Sequence, residues 1–181
     1  PQQLSYIAEN GAVHDVTNVP DCTYGDKLLF MRATANTTFI YSQVLHDAYI
    51  SSTNNAPYEN EELSNQLAIV ARMIKGGLST KVYMVTLDGF DNHANQVDNH
   101  RTKLEDLAKS IKNFYIDLAS NGMNDKVLTM TISEFGRRPY ENGSNGTDHG
   151  AASPVMLFGP GLQGSGFVGN HPSLTEWDAF D

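Results

Sequence analysis

One cysteine, Cys22, stands in 181 residues. It can form no internal disulfide, and without a second cysteine there is no structural zinc site of the paired-cysteine kind, so cysteine usage leaves the redox compartment open. Basic residues are scarce as well: 12 Lys+Arg face 21 Asp+Glu, a formal net charge of -9. So acidic a chain repels a nucleic-acid backbone at long range, and no basic stripe offsets it, which excludes nucleic acid as a partner. No apolar run approaches the roughly 18–20 residues of a membrane-spanning helix, and no basic start leads into a signal-like apolar stretch. Internal repeats, low-complexity tracts and interdomain linkers are missing too. What is present is a hydrophobic fraction of 40%, enough over this length for one domain with a sizeable core. The start at Pro1 and the end on Asp178-Ala179-Phe180-Asp181, without a terminating helix or tail, fit a piece of a longer protein.

Residues 1–25 mix Gly11, Pro20 and Gly25 with scattered polar residues and hold no periodicity, so they are expected to form an irregular leading segment. From Asp26, placed to cap, Phe30, Ala33, Thr37, Ile40, Val44 and Ala48 recur at helical spacing up to about Ser51. A loop by composition follows to Pro57. Leu63, Leu67, Val70, Ala71 and Ile74 then share one helical face, with Gly76-Gly77 as the stop. Beyond it the pattern alternates. Val82–Leu87 reads as a strand buried on both faces, and a long helix buries Leu104, Leu107, Ala108, Ile111, Phe114 and Leu118 before Asn121-Gly122. Two further apolar runs, Val127–Ile132 and Pro154–Phe158, complete the series ahead of a Gly-rich tail. Strand, helix and strand in this order predict a βαβ unit and hence an α/β fold with a parallel sheet.

Ligands of open α/β sheets sit beyond the carboxyl ends of the strands. Asp88, Asp91 and His93 follow the first predicted strand, Glu134 the second, and Asp148-His149 stands just before the third. Such carboxylates and imidazoles suit a borderline or hard divalent cation. The loop from Ser133 to Ala152, about 20 residues, exceeds the usual βα connection, and long ordered loops are more often functional. Against this, Asp88-Gly89 is ordinary turn chemistry. His14, His46 and His171 lie outside these loops and read as surface or structural residues, and His100 as a helix-start residue. Arg137-Arg138 has two readings: a bidentate clamp for a phosphate or sulfate, or a structural pair in which Arg137 neutralises Glu134.

Gly89-Phe90-Asp91-Asn92-His93-Ala94-Asn95-Gln96, Ser133-Glu134-Phe135-Gly136-Arg137-Arg138 and Gly146-Thr147-Asp148-His149-Gly150 resemble, in order and spacing, motifs of the DUF1501 family of exported bacterial proteins. That family looks like a branch of the alkaline phosphatase/sulfatase-like superfamily. The resemblance implies a three-layer sandwich with a mostly parallel sheet, a periplasmic or extracellular location, and one or two metal ions, zinc first among them. It implies Asp91, His93 and His149 as ligands of one metal. Glu134 takes the place of an Asp serving a second metal, where Phe135 cannot replace the accompanying His, so that a second ion would need Asp148 or a residue outside this chain, and a mononuclear or otherwise modified centre is the alternative. The superfamily's nucleophile and a further metal-binding Asp come from a first strand that does not precede Asp26. This implies that residues 1–181 are the carboxyl-proximal part of a longer domain.

Two functions follow as expectations. The first is a metal-dependent hydrolase of phosphate or sulfate esters, with Asp91, His93, Glu134, Asp148 and His149 around the metal and Glu134, Arg137 and Arg138 acting on a small-molecule ester. The second is a catalytically silent binding module for a partner protein or glycan, suggested by Phe135. A calcium site is disfavoured by two imidazoles.

Overall fold

The structure, a computed structural model, describes residues 2–171 and Ser173; the reading of residues 178–181 as lacking a helix lies outside them. Four helices carry most of the regular structure: α1 (Gln2–Asn10), α2 (Thr23–Ile50), α3 (Glu62–Lys75) and α4 (Gln96–Ala119). Four two-residue strands follow: β1 (Thr129–Met130), β2 (Gly136–Arg137), β3 (His149–Gly150) and β4 (Leu157–Phe158). The chain divides into two compact units, one of residues 1–54 and 69–83 and one of residues 55–68 and 84–181, with a boundary inside α3. No helix among the described residues is long and apolar enough to cross a membrane.

In the first unit, the leading segment expected to be irregular holds α1, and only the stretch after it is irregular. That stretch is tied to α2 by polar contacts. Asn36 Oδ1 accepts from the His14 amide (2.7 Å), its Nδ2 donates to His14 O (2.8 Å), and Arg32 Nη1 donates to Asp15 O (2.9 Å). These contacts orient α2. Its inward stripe runs through Leu28, Arg32, Asn36, Phe39, Ser42 and Tyr49, whereas Phe30, Ile40 and Val44 of the expected stripe are exposed. The helix is apolar all round in Leu28-Leu29-Phe30-Met31, so periodicity alone does not choose its face. At its far end Arg72 lies over the Tyr49 ring (3.5 Å) and donates to Ser52 O (2.9 Å).

The second unit buries Leu63 and Leu67 of α3 and Ile111, Phe114 and Leu118 of α4. Each of these positions was marked by helical spacing, and each large side chain so buried contributes about 1.5–3 kcal/mol. Beside them Asp117, fully buried, accepts from the Asn55 amide (2.8 Å) and the Tyr58 hydroxyl (3.1 Å), holding the loop before α3. Tyr115 reaches the strands, its hydroxyl donating to Phe158 O at 2.7 Å.

The expected three-layer α/β sandwich with a mostly parallel sheet is not the observed architecture. There are two separate two-stranded antiparallel ladders, β1 with β4 and β2 with β3. Thr129 pairs with Phe158 and Met130 with Leu157; Gly136 pairs with Gly150 and Arg137 with His149. A parallel neighbour requires a long crossover, usually a helix. Between β1 and β4 the chain carries only the β2–β3 hairpin, so it returns antiparallel. The run Val82–Leu87 joins neither ladder: Val82 and Met84 are exposed, and around Thr86 the side-chain amide of Gln66 supplies both a donor and an acceptor at 2.9 Å, as a neighbouring strand would. An apolar run indicates extended chain but does not name its partner.

Candidate metal centre

Two loops of the second unit carry the reactive side chains. Residues 88–95 lead into α4, and residues 138–148 connect β2 to β3. Asn142 organises the second loop: its Oδ1 accepts from the amides of Ser144 (2.9 Å) and Gly146 (3.2 Å), an Asx turn that leaves Nδ2 free to donate to His93 O at 3.0 Å. The amides of Asn95 and Gln96 donate to Ser144 O and Asn145 O, both at 3.0 Å. Gly146 approaches so closely that a Cβ there would stand 2.5 Å from His93 O, which is why only glycine fits. Arg137 completes the stitching from β2, its two terminal nitrogens donating to Phe90 O (2.6 Å) and to Thr147 O.

The stitched loops bring Asp91, His93 and His149 together, with ligand atoms all within 4.8 Å of one another, as a group that could hold a metal ion. Asp91 Oδ1 lies 2.9 Å from His149 Nε2 and 3.2 Å from His93 Nε2. Asp148 stands behind the group. Its Oδ1 is 3.1 Å from His93 Nδ1 and accepts from Asn142 Nδ2 at 3.1 Å. His93 thus has a carboxylate oxygen at each ring nitrogen, Asp91 at Nε2 and Asp148 at Nδ1.

Hydrogen bonding to His149, with a smaller contribution from His93, holds the Asp91 carboxyl below the usual aspartate range. Asp148 is lowered in the same way, first by His93 and then by Asn142. Both are therefore ionised at neutral pH, the state that metal binding requires. The group is exposed to solvent, so an ion and a small molecule can reach it. Phe135 stacks on His149 with ring centroids 3.9 Å apart and an interplanar angle of 12°.

Of the residues singled out from sequence, Asp91, His93 and His149 meet in the group, and Asp148 meets it one step removed, through His93. Glu134 is exposed and stands outside it. The expected pairing of Glu134 with Arg137 needs helical spacing, but Arg137 lies on β2 and is engaged with backbone carbonyls of the two loops. Arg138 donates through Nε to His149 O at 3.2 Å and through Nη1 to Tyr140 Oη at 3.4 Å. His100 meets Phe90 edge-on, and His46 Nδ1 lies 3.2 Å from the Ser5 hydroxyl. Asn142 was not anticipated as an organiser; its only signal was its place in an Asn-Gly-Ser-Asn-Gly loop.

Residues 26–178 match the family described as "Protein of unknown function (DUF1501)". No curated protein and no solved structure matches the chain.

Proposed function

The chain belongs to the DUF1501 family, and from that premise we propose that it is a zinc-dependent hydrolase of phosphate or sulfate esters, with Asp91, His93 and His149 as the metal ligands. The observation that carries the reading is the pair of contacts at Asp91 Oδ1, 2.9 Å and 3.2 Å from two imidazole nitrogens, one on β3 and one on the loop before α4. Zinc bonds of about 2.0–2.1 Å give a tetrahedron with donor-to-donor edges of about 3.3–3.4 Å, close to these two contacts, and all three donor atoms lie within 4.8 Å of one another. Three protein ligands leave a fourth position open, as in catalytic zinc sites, and zinc when bound supplies Lewis acidity toward an ester oxygen and toward water.

The chain's own residues do the rest. Asp148 fixes the His93 tautomer, Arg137 holds the two ligand loops in register, and Phe135 holds the His149 ring. Donor chemistry favours a single ion: Phe135 offers no ligand atom, Glu134 is turned to solvent, and Asp148 is engaged by His93 and Asn142.

The test is a screen of the zinc-loaded full chain against phosphate monoesters, phosphate diesters and sulfate esters. Turnover that disappears in Asp91→Ala, together with the metal, supports the proposal. Bound zinc without turnover of any ester contradicts hydrolysis and favours the binding-module reading.

A further inference from the structure

We infer that Lys103, with Asn99 beside it, is the anion-binding wall of this site, so that the substrate is taken through a tetrahedral oxyanion held between the Lys103 ammonium and the metal position. The inference rests on the zinc reading above and adds to it the residue that recognises the substrate.

An open groove includes two residues of this group. Gly89, Asp91 and His93 line it together with Asn99, Thr102 and Lys103 of α4. Positions 99, 102 and 103 are spaced i, i+3, i+4, so α4 presents them on one face. Gly89 stands two residues before Asp91, with φ +94. The Lys103 chain crosses over it: a Cβ on Gly89 would meet Lys103 Cε at 2.7 Å and Nζ at 3.3 Å. The end of the Lys103 side chain thus lies against Gly89 in the groove lining.

Three further observations point the same way. Lys103 makes no hydrogen bond or ion pair among the described residues, which leaves its three donors available in a strongly acidic chain. Asn99 likewise has an uncommitted side-chain amide on the same face. Of the two arginines expected to clamp the anion, Arg137 is otherwise employed, since both its terminal nitrogens brace backbone carbonyls, and Arg138 donates to His149 O and Tyr140 Oη. A cation with a neighbouring amide donor, lining one open groove with Asp91 and His93, suits the several acceptor oxygens of a phosphate or sulfate group.

The experiment titrates inorganic phosphate, and sulfate in a second arm, into the zinc-loaded full chain and into Lys103→Gln and Lys103→Arg, following heat and measuring zinc content for each. All three proteins are expected to hold equal zinc, which also shows that the ligand loops are intact. Lys103→Gln is expected to lose about tenfold or more in affinity for the preferred anion, and Lys103→Arg to recover most of it, in line with a charge-assisted hydrogen bond. Equal zinc with unchanged affinity in Lys103→Gln overturns the Lys103 assignment and leaves the zinc reading standing. Zinc bound by the parent chain but neither anion taken up has the same consequence. No zinc in the parent chain overturns both, and elemental analysis tells the two failures apart.

Discussion

The histidines of the two compact units keep different company. In the unit of residues 1–54 and 69–83, His14 is fastened through its backbone to Asn36, and the His46 ring meets the Ser5 hydroxyl. Their partners are neutral. In the unit of residues 55–68 and 84–181, the rings of His93 and His149 converge on Asp91, and His93 has a second carboxylate, Asp148, behind it. A neutral partner asks nothing of an imidazole beyond one hydrogen bond, whereas carboxylates on both ring nitrogens create a place for a cation. The difference marks His93 and His149, and not His14 or His46, as part of a group that could hold a metal ion.

The largest expected break of this comparison is at the ligands. His149→Ala abolishes stoichiometric zinc binding, whereas His46→Ala leaves it unchanged; metal content after dialysis reads both. Next comes packing. Leu118, fully buried in α4, is expected to cost about 2–5 kcal/mol as Leu118→Ala, while Phe30→Ala on the exposed side of α2 stays within about 0.5 kcal/mol. Denaturant unfolding of the two variants measures the gap. A smaller effect belongs to the support behind the ligands. Asp148→Asn keeps the shape and loses the charge, and is expected to weaken zinc by about 10–100-fold without removing it, as loss of an outer-shell carboxylate does. A Kd for Asp148→Asn equal to that of the parent would show that Asp148 does not orient His93.

The smallest effect is on acid stability of the metal-free chain. Asp91 and Asp148 both titrate below the ordinary value of 3.8, so the folded state holds their protons less tightly than the unfolded chain. Their contribution is complete above that value and is lost as pH falls through the two lowered pKa values. Because both are exposed, the signature is a shallow extra slope of Tm against pH below about pH 4, reduced in Asp148→Asn. At the other end of the scale, burial and then the Asp117 carboxylate push the Tyr58 hydroxyl above its usual 10.0. That phenol stays protonated in the folded protein while it ionises in the unfolded chain, so its contribution is lost as pH rises beyond about 10. Ultraviolet titration is expected to find one tyrosine ionising only with unfolding.

Helices with a one-sided stripe were legible in the sequence. Leu63 and Leu67, and Ile111, Phe114 and Leu118, occupy the positions their spacing indicated, because a 3.6-residue period leaves a single face to bury. In α2 the apolar residues encircle the helix, and polar contacts from residues 14 and 15 decide which side faces in. The runs Val127–Ile132 and Pro154–Phe158 hold β1 and β4, but their antiparallel pairing was missed because pairing is a long-range property. Val82–Leu87 is extended, yet nothing in its composition says whether another strand or the amide of Gln66 will meet it. For the site, Asp91, His93 and His149 were recognisable from residue type and loop position. The roles of Asp148, Asn142 and Lys103 were not, since each depends on a distance across more than one loop or turn that no local pattern encodes. Glu134 looked equivalent to Asp148 by type, but the chain entering β2 leaves it in solvent.

Calorimetric titration of zinc into the metal-free full chain, beside His149→Ala, is the direct test of one divalent cation on Asp91, His93 and His149. One zinc per chain and no saturable binding in the variant are expected; no binding by the parent, or the same binding by both, rules the site out.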